Sequence, residues 1–240
     1  MTIDGIFGIL GIIAMLLATG TLLGLLDSRN FAPRWLLAAS ALLLVNDAML
    51  TRFYGVAPDL AASSDWNWMG KVAALAVTLA IAAHPAIGWR RCGITLAQSP
   101  EGQPLTYGVA ALVVAAFVAL ALSLPNESPD ADSLAFQLTM PGLEEEAFYR
   151  GLLLLMLNEA LRGRARMLGI TVGWGALLST ILFGLAHAFS YGDGAFSFDA
   201  MTMAMTAGPA IILLWFRERT GSIVLPVLLH NFANFAPMIL

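Results

Sequence analysis

Long apolar runs constrain this chain more than any other feature. The first run, Gly5–Leu26, contains no charged residue, and about 20 apolar residues suffice for a helix to cross a hydrocarbon core. Lipid cannot satisfy open backbone groups, so runs of this kind form helices. The sequence therefore predicts an all-α fold, a polytopic transmembrane helix bundle. The predicted spans, about eight in number, are Gly5–Leu26, Trp35–Leu50, Met69–Trp89, Tyr107–Leu124, Leu134–Leu161, Met167–Phe189, Ala200–Phe216 and Ile223–Leu240.

Composition excludes most other classes of protein. Only 12% of the residues are charged and 59% are hydrophobic, whereas about 25% of an ordinary soluble domain is charged. The net charge of −4 provides no basic field for nucleic acid, and the lone Cys92 excludes a disulfide framework. We predict one integral membrane domain over residues 1–240, with four generic transmembrane helices in 1–125 and a polar, motif-bearing half in 134–240.

Basic residues in the loops predict the orientation, because they are enriched on the cytoplasmic side. Nine of the 12 Lys and Arg residues fall in alternate connections. Eight spans with both termini outside fit this alternation. The nine are Arg29, Arg34, Arg90, Arg91, Arg162, Arg164, Arg166, Arg217 and Arg219.

Three groups of polar residues lie within the predicted spans, where charge is costly and often marks function. In the first, Glu146 and Arg150 are four residues apart, so they pair on one helix face. Glu145 lies about 100° around the helix from Glu146, which leaves its carboxylate free for chemistry. Glu144 lies near the Pro141-Gly142 dipeptide, which is expected to interrupt the helix, and it is interpreted as solvated.

The other two groups are Phe183 with His187 and His230 with Asn234. With a rise of about 1.5 Å per residue, both groups reach the depth of Glu145, in the outer half of the membrane. The sequence therefore predicts one shared site.

The residue types at this site suit hydrolysis. A carboxylate and an imidazole, here Glu145 and His187, can activate water. His230 and Asn234 can donate hydrogen bonds to an oxyanion. Glu145, His187 and His230 could instead bind a zinc ion with one open position, and the residues alone leave both arrangements open.

These motifs resemble those of a known family. Glu145-Glu146 with Arg150, Phe183 with His187, and His230 with Asn234 match the EExxxR, FxxxH and HxxxN motifs of the CPBP intramembrane proteases. This family includes the type II CAAX prenyl endopeptidases and the bacterial Abi proteins. The resemblance covers about residues 134–240.

The resemblance implies a glutamate-type intramembrane endopeptidase that cuts a membrane-associated peptide or protein. It implies water activation by Glu145 and His187, oxyanion stabilisation by His230 and Asn234, and support from Glu146 and Arg150. It implies no metal or other cofactor, and a bacterial inner membrane. Prenyl-protein members of the family work at the cytosolic face, whereas the arginine pattern places this site in the outer half.

Two other classes of protein compete with a protease. A non-enzymatic membrane protein, such as a bacteriocin immunity factor or scaffold, could retain the fold. A proton-coupled transporter also uses intramembrane Glu and His, but such proteins carry related repeats in both halves. Outside the motifs, Asn46 and Asp47 are interpreted as a helix end at the interface, and Lys71 as a side chain that extends to the membrane surface.

Overall fold

The computed structural model describes residues 3–61, 63–123 and 129–240, and the described chain is mostly helical. Leu124, where the fourth predicted span ends, and the boundary at residue 125 lie outside the described residues. The helices are α1 (Ile3–Leu26), α2 (Pro33–Leu50), the short α3 (Arg52–Gly55), α4 (Trp68–Ala82), α5 (Gln103–Ala121), α6 (Ala131–Glu145), a π-helical segment (Glu146–Leu153), α7 (Leu154–Ala160), α8 (Trp174–Ala188), α9 (Ala200–Thr220) and α10 (Val224–Phe235), with 3₁₀ turns at Ser28–Asn30 and Ala236–Met238.

One continuous helix forms the centre of the bundle. It consists of α6, the π-helical segment and α7, and we call it the central helix (131–160). Its second half packs against α2, α4 and α8, and Phe148, Leu152 and Leu157 are fully buried there. Side chains that are apolar on every face require neighbours on every side. The central helix therefore holds its polar residues at the middle of the fold.

The predicted interruption at Pro141-Gly142 is wrong, because the central helix continues through both residues. Its irregularity comes later, as the π-helical turns of Glu146–Leu153. Two carbonyls in this segment accept hydrogen bonds from side chains of other helices. The Ser179 hydroxyl donates to the Tyr149 carbonyl over 2.6 Å, and the Arg217 Nε donates to the Arg150 carbonyl over 3.0 Å. Arg217 is thus a buried residue of α9 rather than a loop residue.

Two short antiparallel hairpins flank α8, where the sequence predicts one helix from Met167. Strands β1 (Ala165–Met167) and β2 (Ile170–Val172) pair first, and Leu168 and Gly169 turn between them with φ of 52° and 75°. The Arg219 guanidinium donates to the Gly169 carbonyl over 2.9 Å, which fixes this turn against α9. Strands β3 (Phe189–Gly192) and β4 (Ala195–Phe198) pair after α8.

Three described helices are long and apolar enough to cross a membrane. The helices α4 and α8 are apolar but have only 15 residues each, and α4 ends at Ala82 rather than at Trp89. The chain is therefore an integral membrane protein with a helical bundle, and the count of eight spans stays a prediction. The three qualifying segments are Asp4–Leu26, Gln103–Ala121 and Ala200–Thr220.

Candidate functional site

A cavity of about 690 Å³ lies between α5, α6, α8, α9 and α10, and we call it the central cavity. Glu145, His187, His230 and Asn234 all line it, so the structure brings together the four residues that the sequence predicts as catalytic. Apolar side chains from α5 and α9, such as Phe117, form most of its remaining wall. The arrangement places a small polar cluster in the wall of a largely apolar cavity.

Glu145 makes an ion pair that the sequence did not reveal. The Lys71 ammonium, from α4, lies 2.5 Å from Glu145 Oε1 and 2.7 Å from Glu144 Oε2. Glu144 is completely buried, so its interpretation as a solvated residue is wrong. Lys71 does not extend to the membrane surface either, since its side chain is only 14% exposed. One ammonium therefore compensates two neighbouring carboxylates inside the bundle.

Glu146 binds both an arginine and a histidine. Its Oε1 lies 3.1 Å from the Arg150 Nη1 and 2.7 Å from the His230 Nδ1. Because a carboxylate only accepts, His230 Nδ1 carries the proton of this hydrogen bond. The other ring nitrogen, Nε2, is 3.6 Å from Glu145 Oε2. Glu146 thus fixes the orientation of His230 so that Nε2 faces Glu145.

Phe183 connects the arginine to the two histidines. The Arg150 guanidinium lies over its ring, 4.3 Å from the centroid. The centroids of the His187 and His230 rings are 4.7 Å and 6.1 Å from the centroid of Phe183. A cation over an aromatic face is attracted by the ring quadrupole. Phe183 therefore supports the buried Arg150 and fills the space between the two imidazoles.

His187 lies at the end of α8 with one ring nitrogen engaged. Its Nδ1 is 2.8 Å from the Phe183 carbonyl oxygen. Since a carbonyl oxygen accepts, Nδ1 is the protonated nitrogen, and the neutral ring presents the lone pair of Nε2.

Asn231 is a further polar residue that the motifs did not identify. It accepts from the Gly142 N–H over 2.7 Å and donates to the Thr139 carbonyl over 3.1 Å. These bonds lie on either side of Pro141, which has no N–H of its own. A Cβ at Gly142 would lie 2.5 Å from Asn231 Oδ1, so the close approach of α10 requires glycine here. Asn231 thereby fixes α10, with His230, against the central helix.

Of these missed residues, Lys71 has the clearest signal in the sequence. Lys71 is an ionisable residue within an apolar segment, and such residues generally pair with other buried groups. Asn231 directly follows His230, but nothing in its spacing shows that it binds a helix 89 residues away. Glu144 carries no signal that separates it from Glu145.

Across residues 3–61, 63–123 and 129–240, no three His, Cys, Asp or Glu side chains are placed to hold a metal ion. Within the proposed ligand set, Glu145 Oε1 is paired with Lys71 and His230 Nδ1 with Glu146.

The fold and the site together define an integral membrane helix bundle with a glutamate–histidine cluster at a buried cavity. Residues 125–236 match the family model described as type II CAAX prenyl endopeptidase Rce1-like. This match contains all three motifs and confirms the resemblance to the CPBP family over that part of the chain. The matched family is a protease family, which supports a hydrolase. No curated protein and no solved structure matches the chain.

Proposed function

We propose that the protein is a glutamate-type intramembrane endopeptidase. The observation that carries this proposal is the convergence of Glu145, His187, His230 and Asn234 on one cavity. A carboxylate, a neutral imidazole and further donors around one chamber are the groups that amide hydrolysis needs.

In the proposed reaction, Glu145 and His187 activate a water molecule. Glu145 Oε1 is bound to Lys71, whereas Oε2 lies 3.6 Å from His230 Nε2 and is the oxygen that accepts the water proton. His187 presents Nε2. As the water oxygen bonds to the amide carbon, its proton passes to Glu145 or His187. Collapse of the tetrahedral intermediate breaks the C–N bond, and the same proton moves to the leaving amine.

His230 and Asn234 stabilise the oxyanion in this proposal. Because His230 Nδ1 donates to Glu146, the ring can donate from Nε2 only as an imidazolium. The carboxylates of Glu145 and Glu146 flank the His230 ring, with oxygen atoms 3.6 Å from Nε2 and 2.7 Å from Nδ1. The Asn234 amide adds a neutral donor at the same wall.

We further propose that the reaction needs no metal ion. The Lys71 ammonium already binds the Glu145 carboxylate at Oε1. The purified enzyme is expected to keep its activity after exhaustive chelation. Loss of activity with chelator, and its return with zinc, would establish the metal mechanism instead.

The substrate is proposed to be a membrane-associated peptide or protein that enters the central cavity from the lipid bilayer, with no nucleic-acid partner. The apolar wall formed by α5 and α9 suits an apolar segment of such a substrate. A bacterial inner membrane, with both termini outside, is the proposed location.

Comparison of membrane-protein termini tests this function in cells. Cells with the wild-type protein are expected to contain new protein termini that are missing from cells with Glu145→Gln. Identical termini in both would favour the non-enzymatic alternative, an immunity factor or scaffold. Glu159→Gln is the matched control, because it makes the same chemical change near the C-terminal end of the central helix. It is expected to yield the same protein termini as the wild type.

A further inference from the structure

A second cavity lies beside the site, and we call it the α1–α2 cavity. It has a volume of about 210 Å³ and is lined mainly by α1, α2, α8 and β3. Tyr149 and Leu182 line it, while the neighbouring Phe183 lines the central cavity. The Tyr149 and Phe183 rings are in contact, with centroids 5.1 Å apart. The two cavities therefore lie on opposite sides of these side chains.

The α1–α2 cavity has polar groups that lack partners in the protein. Asn46 is only 5% exposed, and its Oδ1 makes no hydrogen bond to any described residue. Asp47 Oδ2 meets no strict hydrogen-bond criterion either, but the Tyr54 hydroxyl lies beside the Asp47 carboxyl. Both Asn46 and Asp47 line the cavity. Their interpretation as a helix end at the interface is therefore wrong for Asn46. Buried polar atoms almost always bond to protein or to water, and a cavity of this size has room for several water molecules.

A chain of polar contacts joins this cavity to the site. Asn46 lies beside the carboxyl of Glu144, whose Oε1 is also buried without a partner among the described residues. Glu144 Oε2 is bound to Lys71, and Lys71 is bound to Glu145. The contacts thus run from Asn46 through Glu144 and Lys71 to the carboxylate of Glu145, which they reach at Oε1.

We propose that the α1–α2 cavity is a water site that supplies the hydrolytic water to Glu145, separately from the cavity that holds the peptide. This inference rests on the proposed function. Each cleaved bond consumes one water molecule, and an apolar substrate in the central cavity excludes water from that side. The buried polar groups of α2 and the central helix provide a second, hydrated approach to the same carboxylate.

Cysteine labelling tests the hydration without measuring activity. A thiol reacts with a small, charged methanethiosulfonate only as the thiolate, which requires water. Ile12 lines the α1–α2 cavity and is 5% exposed, whereas Leu10 is 45% exposed on the outer surface of the same helix. Ile12→Cys is expected to react at least about tenfold faster than Leu10→Cys. Ile12 lies farther along α1 than Leu10, so a faster reaction would not follow from closeness to the start of the helix. The native Cys92, which is buried, serves as the unreactive reference.

Equal reaction of Ile12→Cys and Leu10→Cys would overturn the proposal, whatever the protein does. This outcome is independent of the proposed function, which is tested separately by the cleavage products of the wild-type and Glu145→Gln proteins. The two failures are thus distinguishable.

The supply of water is tested on Asn46. Asn46→Leu keeps the volume of the side chain but removes its polar group, so kcat is expected to fall about tenfold with KM unchanged. Asn46→Ser, which restores a polar group, is expected to recover part of the lost kcat. An unchanged kcat in Asn46→Leu, with Ile12→Cys still labelled, would show a hydrated cavity that does not supply the reaction and would overturn the proposal.

Discussion

At the scale of single residues, the site consists of charges that compensate one another inside the bundle. Lys71 compensates Glu144 and Glu145, and Arg150 with His230 compensates Glu146. Isolated charges in this environment would be costly, so each group depends on its partner. The polar cluster is therefore a single electrostatic unit of the fold.

Replacement of Lys71 by Met is expected to destabilise the protein by about 3–5 kcal/mol, because it leaves Glu144 buried without a partner. The measurement is the free energy of unfolding in mixed micelles. The double variant Lys71→Met with Glu144→Gln is the matched control and is expected to recover much of this loss. Additive effects of the two substitutions would show that the pair is not coupled.

The sequence predicts the residues of this cluster better than it predicts their partners. The spacing of Glu146 and Arg150 indicates their pairing correctly, because both lie on one helix. The contacts of Lys71 with Glu144, and of Asn231 with Gly142, join helices that are distant in sequence. No spacing rule within one helix can reveal such contacts, and the catalytic roles of the four motif residues stay predictions.

At the scale of elements, close contact between α10 and the central helix positions His230. A Cβ at Gly142 would lie 2.7 Å from the Val227 carbonyl oxygen as well as against Asn231. Gly142→Ala is therefore expected to destabilise the fold by about 1–3 kcal/mol through overpacking and to reduce cleavage. Thermal unfolding in detergent and the cleavage rate are the measurements.

Gly108 in α5 provides the control for Gly142. A Cβ there meets no atom within 4 Å, and alanine favours helix more than glycine does. Gly108→Ala is expected to leave stability unchanged or slightly higher. A Gly142→Ala protein as stable as Gly108→Ala would contradict the packing account.

Asp199 stabilises the start of α9, the helix that forms one wall of the central cavity. Its Oδ1 accepts from the backbone N–H groups of Met201 and Thr202 over 2.9 Å and 3.0 Å. The hydrogen bond from Thr202 lowers the pKa of the Asp199 carboxyl below its usual value. Its contribution to stability is thus present above the pKa of the unfolded chain and is lost as the pH falls through the folded-state pKa.

Asp199→Ala is accordingly expected to lower the melting temperature at neutral pH, because the capping carboxylate is removed. The difference from wild type is expected to narrow as the pH falls through the folded-state pKa of Asp199, which lies below the usual value of an aspartate. Asp199→Asn retains a capping oxygen without the charge. It therefore distinguishes the contribution of the capping hydrogen bonds from the contribution of the negative charge. A difference that is constant across this pH range would contradict the role of the charged form.

At the scale of elements, apolar runs predict helices well and their ends less well. The helix predicted from Met167 begins at Trp174, because the turn at Leu168 and Gly169 is held by Arg219 of α9. The predicted break at Pro141 is absent because Asn231 satisfies the neighbouring backbone groups. Both differences arise from tertiary contacts that the local sequence does not contain.

At the scale of the whole molecule, the orientation in the membrane decides which substrates can reach the site. The loop arginines predict both termini outside. Epitope tags at the two ends are therefore expected to be accessible to an impermeant reagent on intact cells. Tags that react only after the membrane is permeabilised would invert the topology and place the site on the cytoplasmic side.

The central claim is that Glu145 activates water within the membrane. The most direct measurement is the cleavage rate of a cognate peptide by purified wild-type and Glu145→Gln proteins of equal thermal stability. We predict a fall in kcat/KM of about 10²–10⁴-fold, the contribution of a general base, with Glu159→Gln at the wild-type rate. Cleavage by Glu145→Gln at the wild-type rate would contradict the account.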